Sequence, residues 1–389
     1  MIIVHLIDYF QPKVGYQEYF LAREQQKMGH QVFVVTSNYY YPFPNYEKGY
    51  KKILGRRLLS KGLSIEEGVS VERLPSWEIM PGRLIILLTL KTTFLKLNPD
   101  VVFCHNLYSA TSYMAAYLKV KVGYRLIYDT HASYFNTNFK ADTANRLYHA
   151  LFHKFAVSFI KEKADSIFAI GEEERSFLAS DFEIVESKIP IIRLGVDIER
   201  FRWTPQKKEG VRKKLYLDNN TILCIYAGKI TPNKDVHILA QALGKTKQAN
   251  YHLLVIGSGR KEYITSLKES IPHKVTFLPM VPNEDLSSFY SASDIGIWPG
   301  DPSITMLEAM ACKVPLIVPD DKQTAYLKES RGVEYFERGN ISHLQEKLEN
   351  LIKNDTLRKK LAKNAQVFVR NQLSWRIISK KTLELMKNE

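Results

Sequence analysis

The sequence predicts an α/β protein made of two doubly wound domains. The chain has 389 residues, of which 45% are hydrophobic, and a core of this size usually splits into two domains. Short apolar strands alternate with amphipathic helical stretches in both halves, which is typical of parallel sheets covered by helices on both faces. Ligands of such sheets bind outside the carboxyl ends of the strands. We therefore expect functional residues in the loops that follow strands.

The predicted strands are short apolar runs bounded by polar or turn residues. Those of the first half are residues 1–7, 31–37, 100–106 and 125–131. Those of the second half are residues 221–228, 251–259, 274–279, 294–299 and 315–319. Between the halves, residues 189–203 interrupt this alternation with Pro190 and Gly195, so the domain boundary is expected there.

The composition argues against several classes of protein. Cys104, Cys224 and Cys312 lie far apart in apolar stretches, which predicts buried thiols in a reducing compartment rather than disulfides or a zinc site. The start of the chain has no basic leader and no small-residue cleavage site, so we interpret it as a first strand and expect a cytoplasmic protein. The longest apolar run, residues 84–90, is too short to span a bilayer.

Basic residues are in excess and are concentrated in one segment. The net charge of +14 favours polyanionic partners. Residues 48–61 carry six basic residues and no acidic one, interleaved with aliphatic side chains, and follow an aromatic stretch at residues 38–46. This pattern is typical of a segment that lies on anionic lipid, although a solvated surface loop is an equal alternative. Nucleic acid is not expected, because no zinc finger, helix-turn-helix or ribonucleoprotein signature accompanies the segment.

Residues 297–320 predict an anion site. A strand is followed by a turn of small residues and by a helix expected over about residues 304–312. Amide groups and the positive end of the helix dipole attract anions at a helix start. The phosphate donors would be the amides of Ser303, Ile304 and Thr305. Helical side chains lean toward the N-terminus, so Glu308 can face this site and bind sugar hydroxyls. The alternative for Glu308 is a solvated helix residue.

Seven segments of the chain resemble the motifs of one known family and occur in the same order as in that family. They are MGHQVFVVTS, ADSIFAIGEEERSFL, RLGVDIERF, YAGKITPNKDVHILAQAL, LLVIGSGR, VTFLPMVPNEDLSSFYSASDIGIWP and LEAMACKVPLIVPD. Together they resemble the retaining glycosyltransferases of family 4, the glycosyl transferases group 1, over nearly the full chain. The likeness is specific for fold and reaction class and weak for substrate.

The resemblance implies the GT-B fold, in which two Rossmann-like doubly wound domains face a central cleft. It implies an N-terminal acceptor-binding domain at residues 1–195 and a C-terminal nucleotide-sugar-binding domain at residues 196–373. A C-terminal helix at residues 374–389 is expected to pack back onto the first domain. The nucleotide diphosphate sugar would be the donor substrate, and no cofactor is expected.

The resemblance also implies residue roles. Lys229 and Lys234 stand where the family places a basic pair on the donor diphosphate, and cations there would stabilise the leaving nucleotide as it gains charge. His131 stands where the family has a histidine bonded to the donor sugar, and Gly15 would lie close to the donor phosphate or the acceptor. Further residues of the nucleotide-sugar site would be Gly228, Gly257 and Met280. The plainer alternatives are surface charges for the lysines, a structural role for His131 and a turn for Gly15.

The chain departs from the family pattern near the donor sugar. The family usually has two glutamates eight positions apart, but eight residues before Glu308 the chain has Gly300. The neighbouring Asp301 has two interpretations. It replaces the missing carboxylate and binds a donor-sugar hydroxyl, or it caps the helix with Pro302 at the first helical position. Lys229 stands where arginine is more usual, which keeps the charge but loses the bidentate fork.

The sequence thus predicts a retaining, hexosyl-type glycosyltransferase that needs no metal, because lysines and helix amides can replace a divalent ion. The donor would be UDP- or GDP-linked, and the acceptor a glycan or lipid-linked sugar of surface polysaccharide or glycolipid synthesis at the inner face of the cell membrane. The alternatives are a nucleotide-sugar epimerase of the same fold and a non-catalytic nucleotide-sugar-binding protein. A nicotinamide-dependent oxidoreductase needs a Gly-rich turn after a strand, and only one glycine follows the first strand closely.

Overall fold

A computed structural model describes residues 1–44, 46–47, 50–133, 143–246, 250–270 and 274–387. The chain divides into two units, the first formed by Met1–Leu194 with Trp375–Glu389 and the second by Gly195–Ser374.

The strands and helices are numbered in chain order. The strands are β1 (Ile2–Ile7), β2 (Gln31–Ser37), β3 (Gly62–Glu66), β4 (Val69–Leu74), β5 (Ser76–Met80), β6 (Leu84–Leu87), β7 (Val101–His105), β8 (Arg125–Thr130), β9 (Ser166–Ala169), β10 (Ile222–Ala227), β11 (Tyr251–Ile256), β12 (Val275–Leu278), β13 (Ile295–Ile297), β14 (Leu316–Pro319) and β15 (Val333–Phe336). The helices are α1 (Gln17–Lys27), α2 (Lys51–Leu54), α3 (Leu90–Leu97), α4 (Ala110–Val122), α5 (Thr143–Phe152), α6 (Ser158–Lys163), α7 (Glu172–Asp181), α8 (Pro205–Lys214), α9 (Val236–Lys245), α10 (Lys261–Ser270), α11 (Asn283–Ala292), α12 (Ile304–Ala311), α13 (Ile341–Lys353), α14 (Asp355–Gln372) and α15 (Trp375–Met386).

The first unit is built on a seven-stranded sheet in the order β3-β4-β2-β1-β7-β8-β9. Every pair is parallel except the edge pair β3–β4. Val4 of β1 lies opposite Phe33 of β2 and Val102 of β7. All five side chains of β7 are buried, as expected of a parallel sheet covered on both faces. The strand order reverses between β1 and β7, which puts the switch point of this sheet at their carboxyl ends.

The second unit is built on a six-stranded, fully parallel sheet in the order β12-β11-β10-β13-β14-β15. Here the order reverses between β10 and β13, whose register pairs Cys224 with Ile295. The prediction of two doubly wound α/β sheets is thus confirmed, and each of the nine predicted strands is present. Sequence reasoning did not find β3, β4, β15 or the antiparallel hairpin of β5 and β6. These strands lack a long apolar run that is buried throughout.

After the second unit, the chain returns to the first with α15. Trp375 stacks on Phe20 of α1, with ring centroids 5.1 Å apart. Arg125 of β8 donates from Nε to the carbonyl oxygen of Leu385 at 3.1 Å. These contacts hold α15 against α1 and the start of β8.

The three cysteines are free and buried, as predicted. Cys104 lies on β7 of the first unit, whereas Cys224 lies on β10 and Cys312 follows α12 in the second unit. Burial raises the pKa of each thiol. Among the described residues, every helix is too short or too polar to cross a bilayer.

Candidate active site

In the second unit, the loops that follow β10 and β11 are packed backbone against backbone. Gly228 donates from its amide to Ile256 O at 3.0 Å, and Ile230 does the same to Ser258 O at 2.8 Å. A Cβ atom on Gly257 would lie 1.9 Å from the carbonyl oxygen of Gly228, so only glycine fits there. The predicted residues Gly228 and Gly257 therefore hold the two strand ends together beside the switch point of the sheet.

The helix α12 begins at Ile304, as predicted, on the other side of this switch point. Ser303 is its N-cap and accepts from the Thr305 amide at 3.4 Å, while the Ser303 amide donates to Met306 Sδ at 3.4 Å. A long hydrogen bond and a bond to sulfur are both weak, so a phosphate oxygen could replace them at small cost. The Thr305 hydroxyl instead donates to Ala227 O at 2.7 Å and pins the helix start to the end of β10.

Three cations lie near the start of α12. Lys234 donates from Nζ to the backbone carbonyls of residues 301 and 302, at 3.0 and 2.8 Å. Burial lowers the pKa of Lys234, and the charges of Lys229 and Arg338 lower it further, against the opposing effect of the Asp301 carboxylate. Lys229 itself is exposed. An anion placed among these cations would reduce their mutual repulsion.

Asp301 is held by the protein through both carboxylate oxygens. Oδ2 accepts from Asn233 Nδ2 at 2.8 Å, and Oδ1 pairs with Arg338 Nη1 at 3.2 Å. Because Ser303 is the N-cap of α12, the interpretation of Asp301 as the cap is wrong. Binding of a donor-sugar hydroxyl by Asp301 stays a prediction, and such a ligand would share oxygens that already have protein partners.

Gly300 has no room for a side chain. A Cβ atom there would lie 2.5 Å from Asn233 O and 2.5 Å from the carbonyl carbon of Lys234. The Asp301 amide also donates to Asn233 O at 3.1 Å. The loop after β13 thus packs directly on the turn that carries Lys234, and this contact leaves no space for the glutamate that the family usually has at this position.

Glu308 is buried, with 5% of its surface exposed, so the alternative of a solvated helix residue is wrong. Its Oε1 accepts from Asn283 Nδ2 at 3.0 Å, and Arg200 Nη1 donates to Asn283 Oδ1 at 3.1 Å. Burial raises the pKa of Glu308 to about 7, and the Asn283 bond and the Arg200 charge only partly offset this. Within the described part of the chain, Oε2 has no hydrogen-bond partner. That oxygen is itself buried, and the Tyr290 hydroxyl lies close enough to lower the Glu308 pKa, so binding of a sugar hydroxyl by Glu308 stays a prediction.

Met280 lies in the loop between β12 and α11, with 71% of its surface exposed. The same loop leads to Asn283 at the start of α11, which reaches Glu308. The polar link between this loop and α12 is therefore made by Asn283. Contact of Met280 with a nucleotide stays a prediction.

In the first unit, Gly15 and His131 are brought to the same edge of the sheet. His131 is exposed just after β8, two residues beyond the buried Asp129. Asp129 Oδ2 accepts from Gln17 Nε2 at 2.6 Å and contacts His105 Nδ1 at 2.6 Å. Gln17 begins α1, directly after the turn in which Gly15 adopts a φ of +76°. Glycine favours this φ, and contact of Gly15 with the donor phosphate or the acceptor stays a prediction.

Sequence reasoning missed two buried carboxyl groups of the first unit. Asp8 directly follows β1, and burial raises its pKa to about 6. Glu18 lies in the first turn of α1, and burial raises its pKa to about 7. Raised carboxyl pKa values are common at functional sites. The signal that could have found Asp8 is its position directly after a predicted strand.

An apolar pocket of about 340 Å³ opens in the first unit beside β6, α3, α4 and α5. Its walls include Ile85, Leu87, Leu90, Met114 and Phe152. Phe155, which is 65% exposed, forms part of the rim. Thr111 also lines the pocket and lies beside Asp8. The pocket therefore adjoins the carboxyl end of β1.

The basic segment at residues 48–61 is only partly exposed, and Lys48 lies outside the described residues. Arg57 pairs with Glu78 and donates from Nε to Tyr40 O at 2.9 Å, so it is occupied within the protein. The exposed basic residues in the described part of the segment are Lys51, Lys52, Arg56 and Lys61. The exposed apolar residues beside them are Ile53 and Leu58.

Two family models match the chain. The model of Glycosyl transferases group 1 matches residues 207–368, and the model of Glycosyltransferase Family 4 matches residues 18–200. Together they cover most of both units. The chain belongs to the glycosyltransferases of group 1 and family 4.

Among curated members of these glycosyltransferases, the chain is similar to CapM of Staphylococcus aureus, a capsular polysaccharide biosynthesis glycosyltransferase. The two are 31% identical over 262 residues, which cover 60% of this chain and 66% of CapM. The match thus spans slightly less than two thirds of the length of CapM.

Two solved structures are similar over the whole chain. A glycosyltransferase from Rickettsia africae gives a TM-score of 0.72 at 19% identity and covers 100% of this chain and 99% of its own. HepE from Anabaena, solved in complex with UDP, gives a TM-score of 0.71 at 15% identity and covers 99% of both chains. At these identities the likeness concerns the fold alone. With the two doubly wound sheets, it confirms the predicted GT-B fold.

Three polar residues of the site in this family 4 glycosyltransferase were not singled out from the sequence. Arg200 and Asn283 lie inside segments that carry the resemblance, but only the folded chain brings them to Glu308. Arg338 follows β15 and reaches Asp301. Because β15 was not predicted, the signal of a basic residue after a strand end was not visible for Arg338.

Proposed function

We propose that the chain is a retaining glycosyltransferase that moves a sugar from a UDP- or GDP-linked donor to a glycan or lipid-linked acceptor. The observation that carries the proposal is the group of Lys229, Lys234 and Arg338 at the start of α12, at the switch point of a doubly wound sheet. A diphosphate has the charge that this group of cations and the start of a helix would attract. The name of CapM and the UDP complex of HepE support the same reading.

In the transfer, the bond from the anomeric carbon to the β-phosphate oxygen breaks and a bond to the acceptor oxygen forms. The products are the nucleoside diphosphate, the glycosylated acceptor and a proton. The diphosphate gains negative charge as its bond breaks, so fixed cations stabilise the transition state more than the ground state. Lys229, Lys234 and the amides of α12 would do this in place of a divalent ion. Glu308 would accept a hydrogen bond from a hydroxyl of the donor sugar.

The acceptor is proposed to carry an apolar part, in surface polysaccharide or glycolipid synthesis. The apolar pocket of the first unit adjoins Asp8 at the end of β1 and has a volume of about 340 Å³. A buried methylene is worth about 0.8 kcal/mol, so a lipid segment in this pocket would add useful affinity. The exposed basic residues of residues 48–61 would attract an anionic membrane surface, which fits a place at the inner face of the cell membrane.

Calorimetry with UDP and GDP tests the donor site. Lys234→Ala is expected to weaken binding by about 1–3 kcal/mol, roughly 10- to 100-fold, since it removes a charge-assisted contact. The matched control is Lys213→Ala, which removes an exposed lysine at the end of α8 and should leave affinity unchanged. Equal nucleotide affinity in wild type and Lys234→Ala would show that Lys234 does not contact the nucleotide diphosphate.

Product analysis tests the reaction itself. Purified protein is incubated with a panel of UDP- and GDP-sugars and a lipid-linked acceptor, and the anomeric configuration of the product is read by NMR. Retention is expected. Conversion of a donor sugar into its epimer without acceptor would instead favour an epimerase, and nucleotide binding without any turnover would favour a non-catalytic binding protein.

Sedimentation with anionic vesicles tests the membrane surface. A triple variant, Lys52→Ser, Arg56→Ser and Lys61→Ser, is expected to lose vesicle binding, because each basic residue near the surface contributes about 1 kcal/mol. Arg57 is kept, since it pairs with Glu78. The control replaces three exposed lysines of the second unit, Lys213, Lys214 and Lys245. Vesicle binding that is equal in wild type and the triple variant would rule out this segment.

A further inference from the structure

Two histidines and an aspartate of the first unit meet at the surface, and none of the three is among the residues that line the apolar pocket or form the proposed donor site. His149 lies on α5, His153 begins the π-helical turn His153–Val157, and Asp181 ends α7. The histidines are four positions apart, so they share one helix face. All three side chains are partly buried, which limits competition from water.

The distances suit a transition metal. Asp181 Oδ1 lies 3.0 Å from His153 Nε2 and 3.6 Å from His149 Nε2. The three candidate ligand atoms lie within 4.8 Å of one another. Ligand bonds of about 2.0–2.2 Å in a tetrahedral zinc site put neighbouring ligand atoms about 3.4 Å apart. A small movement of His149 and His153 would therefore bring all three atoms onto one ion.

A hydrogen bond from Tyr108 orients the carboxylate of Asp181. The Tyr108 hydroxyl donates to Asp181 Oδ2, which leaves Oδ1 directed at the two imidazoles. Such outer hydrogen bonds fix the direction of metal ligands. The rings of His149 and His153 lie 4.8 Å apart, so two protonated imidazoles would repel each other here.

We propose that His149, His153 and Asp181 bind a divalent transition metal ion of the zinc class. Two imidazoles and one carboxylate suit Zn²⁺, Co²⁺ or Ni²⁺ better than Mg²⁺ or Ca²⁺. Three protein ligands leave a fourth position for water. The ion would join α7 to α5, so its role is to fix these two helices. This site lies in the first unit and is independent of the proposed donor site of the second.

Metal titration of the untagged, chelator-treated protein tests the site. One equivalent of Co²⁺ is expected to give the visible absorption of a tetrahedral complex, and Zn²⁺ should displace it and raise the melting temperature. His153→Ala and the isosteric Asp181→Asn should each weaken Zn²⁺ binding roughly tenfold or more, as ligand loss costs at least what loss of an outer partner does. The control His30→Ala, outside the cluster, should bind as wild type.

Circular dichroism shows which variants remain folded, and Asp181→Asn keeps the test valid if His153→Ala does not fold. Two results would overturn the proposal. One is Zn²⁺ binding by wild type no tighter than millimolar. The other is wild-type affinity in folded Asp181→Asn and His153→Ala, which would place the ion elsewhere.

Discussion

Glu308 is a carboxyl group whose charge changes near neutral pH. Burial raises its pKa to about 7, so the folded protein holds this proton more tightly than the unfolded chain does. The stability that this group contributes is fully present below its unfolded pKa of about 4.3 and is lost as the pH rises through the folded value. Above that pH, the chain keeps a buried carboxylate with one unpartnered oxygen.

Replacing Glu308 with Gln should therefore stabilise the protein in a pH-dependent manner. Glutamine cannot ionise, so Glu308→Gln is expected to be more stable than wild type at pH 8 by up to about 3 kcal/mol and close to wild type at pH 5. Urea unfolding at both pH values measures this difference. The control Glu284→Gln changes an exposed acid in α11. If the gain in Glu308→Gln were the same at both pH values, burial of the charge would not be its cause.

Glu308 is expected to affect both the stability of the fold and the binding of the nucleotide sugar, and Glu308→Gln changes these two properties in opposite directions. Stability is expected to rise at pH 8, whereas a hydroxyl ligand would lose its charged acceptor. A variant that is more stable but binds the nucleotide sugar more weakly would show that the Glu308 carboxylate destabilises the fold and contributes to binding. Functional sites often keep such unfavourable groups.

At the scale of elements, a chain of buried polar groups links β8, β7, β1, α1 and α15 within the first unit. Asp129 Oδ2 contacts His105 Nδ1 at 2.6 Å, and His105 Nε2 contacts His5 Nδ1 at 2.9 Å. His5 Nε2 in turn contacts Gln25 Oε1 at 2.9 Å, and Gln25 Nε2 donates to Thr382 Oγ1 at 3.2 Å. The position of α15 is therefore coupled to the centre of the sheet.

The protons of this chain follow from the charges. Burial, together with the neighbouring His105, lowers the pKa of His5 to about 3. Burial would also lower the pKa of His105, but the Asp129 carboxylate outweighs it and raises the pKa. The Asp129 carboxylate thus favours the protonated form of His105, whose two ring nitrogens contact Asp129 and His5. His5, whose pKa is lowered, contacts Gln25 through its other ring nitrogen.

The loop after β13 and the turn before α9 form a second coupled pair. Gly300→Ala is expected to lower the free energy of unfolding by about 1–3 kcal/mol, because its Cβ would meet backbone atoms 2.5 Å away. The control Gly210→Ala lies in α8, where no atom is within 4 Å of an added Cβ. That change should stabilise by roughly 0.5–1 kcal/mol. Urea denaturation of both variants tests the contact, and a Gly300→Ala protein as stable as wild type would contradict it.

At the scale of the whole molecule, the sequence predicted the central strands because their side chains are buried on both faces and form continuous apolar runs. It missed β3 and the hairpin of β5 and β6, because β3 and β5 contain only exposed or partly exposed residues. The partners of the site were also hidden from it. Asn233 bonds to Asp301 from 68 positions away, and no local pattern specifies such a pairing. The family motifs located α12, but folding decided that Ser303 caps it.

Thiol labelling is expected to be slow in the native protein. The thiolate is the reactive form, and burial both raises the pKa of the three thiols and covers their sulfur atoms. A thiol-reactive dye should therefore label the native chain only through opening motions, whereas all three sites should react at once in urea. Mass spectrometry over time measures this. Rapid native labelling of any one cysteine would show that its surroundings are open.

Cys104 lies in one unit, whereas Cys224 and Cys312 lie in the other. The labelling rates of these thiols therefore report the opening of each unit separately. Variants that keep only Cys104 or only Cys224 would time these openings independently. A nucleotide that binds only the second unit should slow the labelling of Cys224 and leave the labelling rate of Cys104 unchanged. The natural thiols thus allow the local stability of each half to be followed without any added probe site.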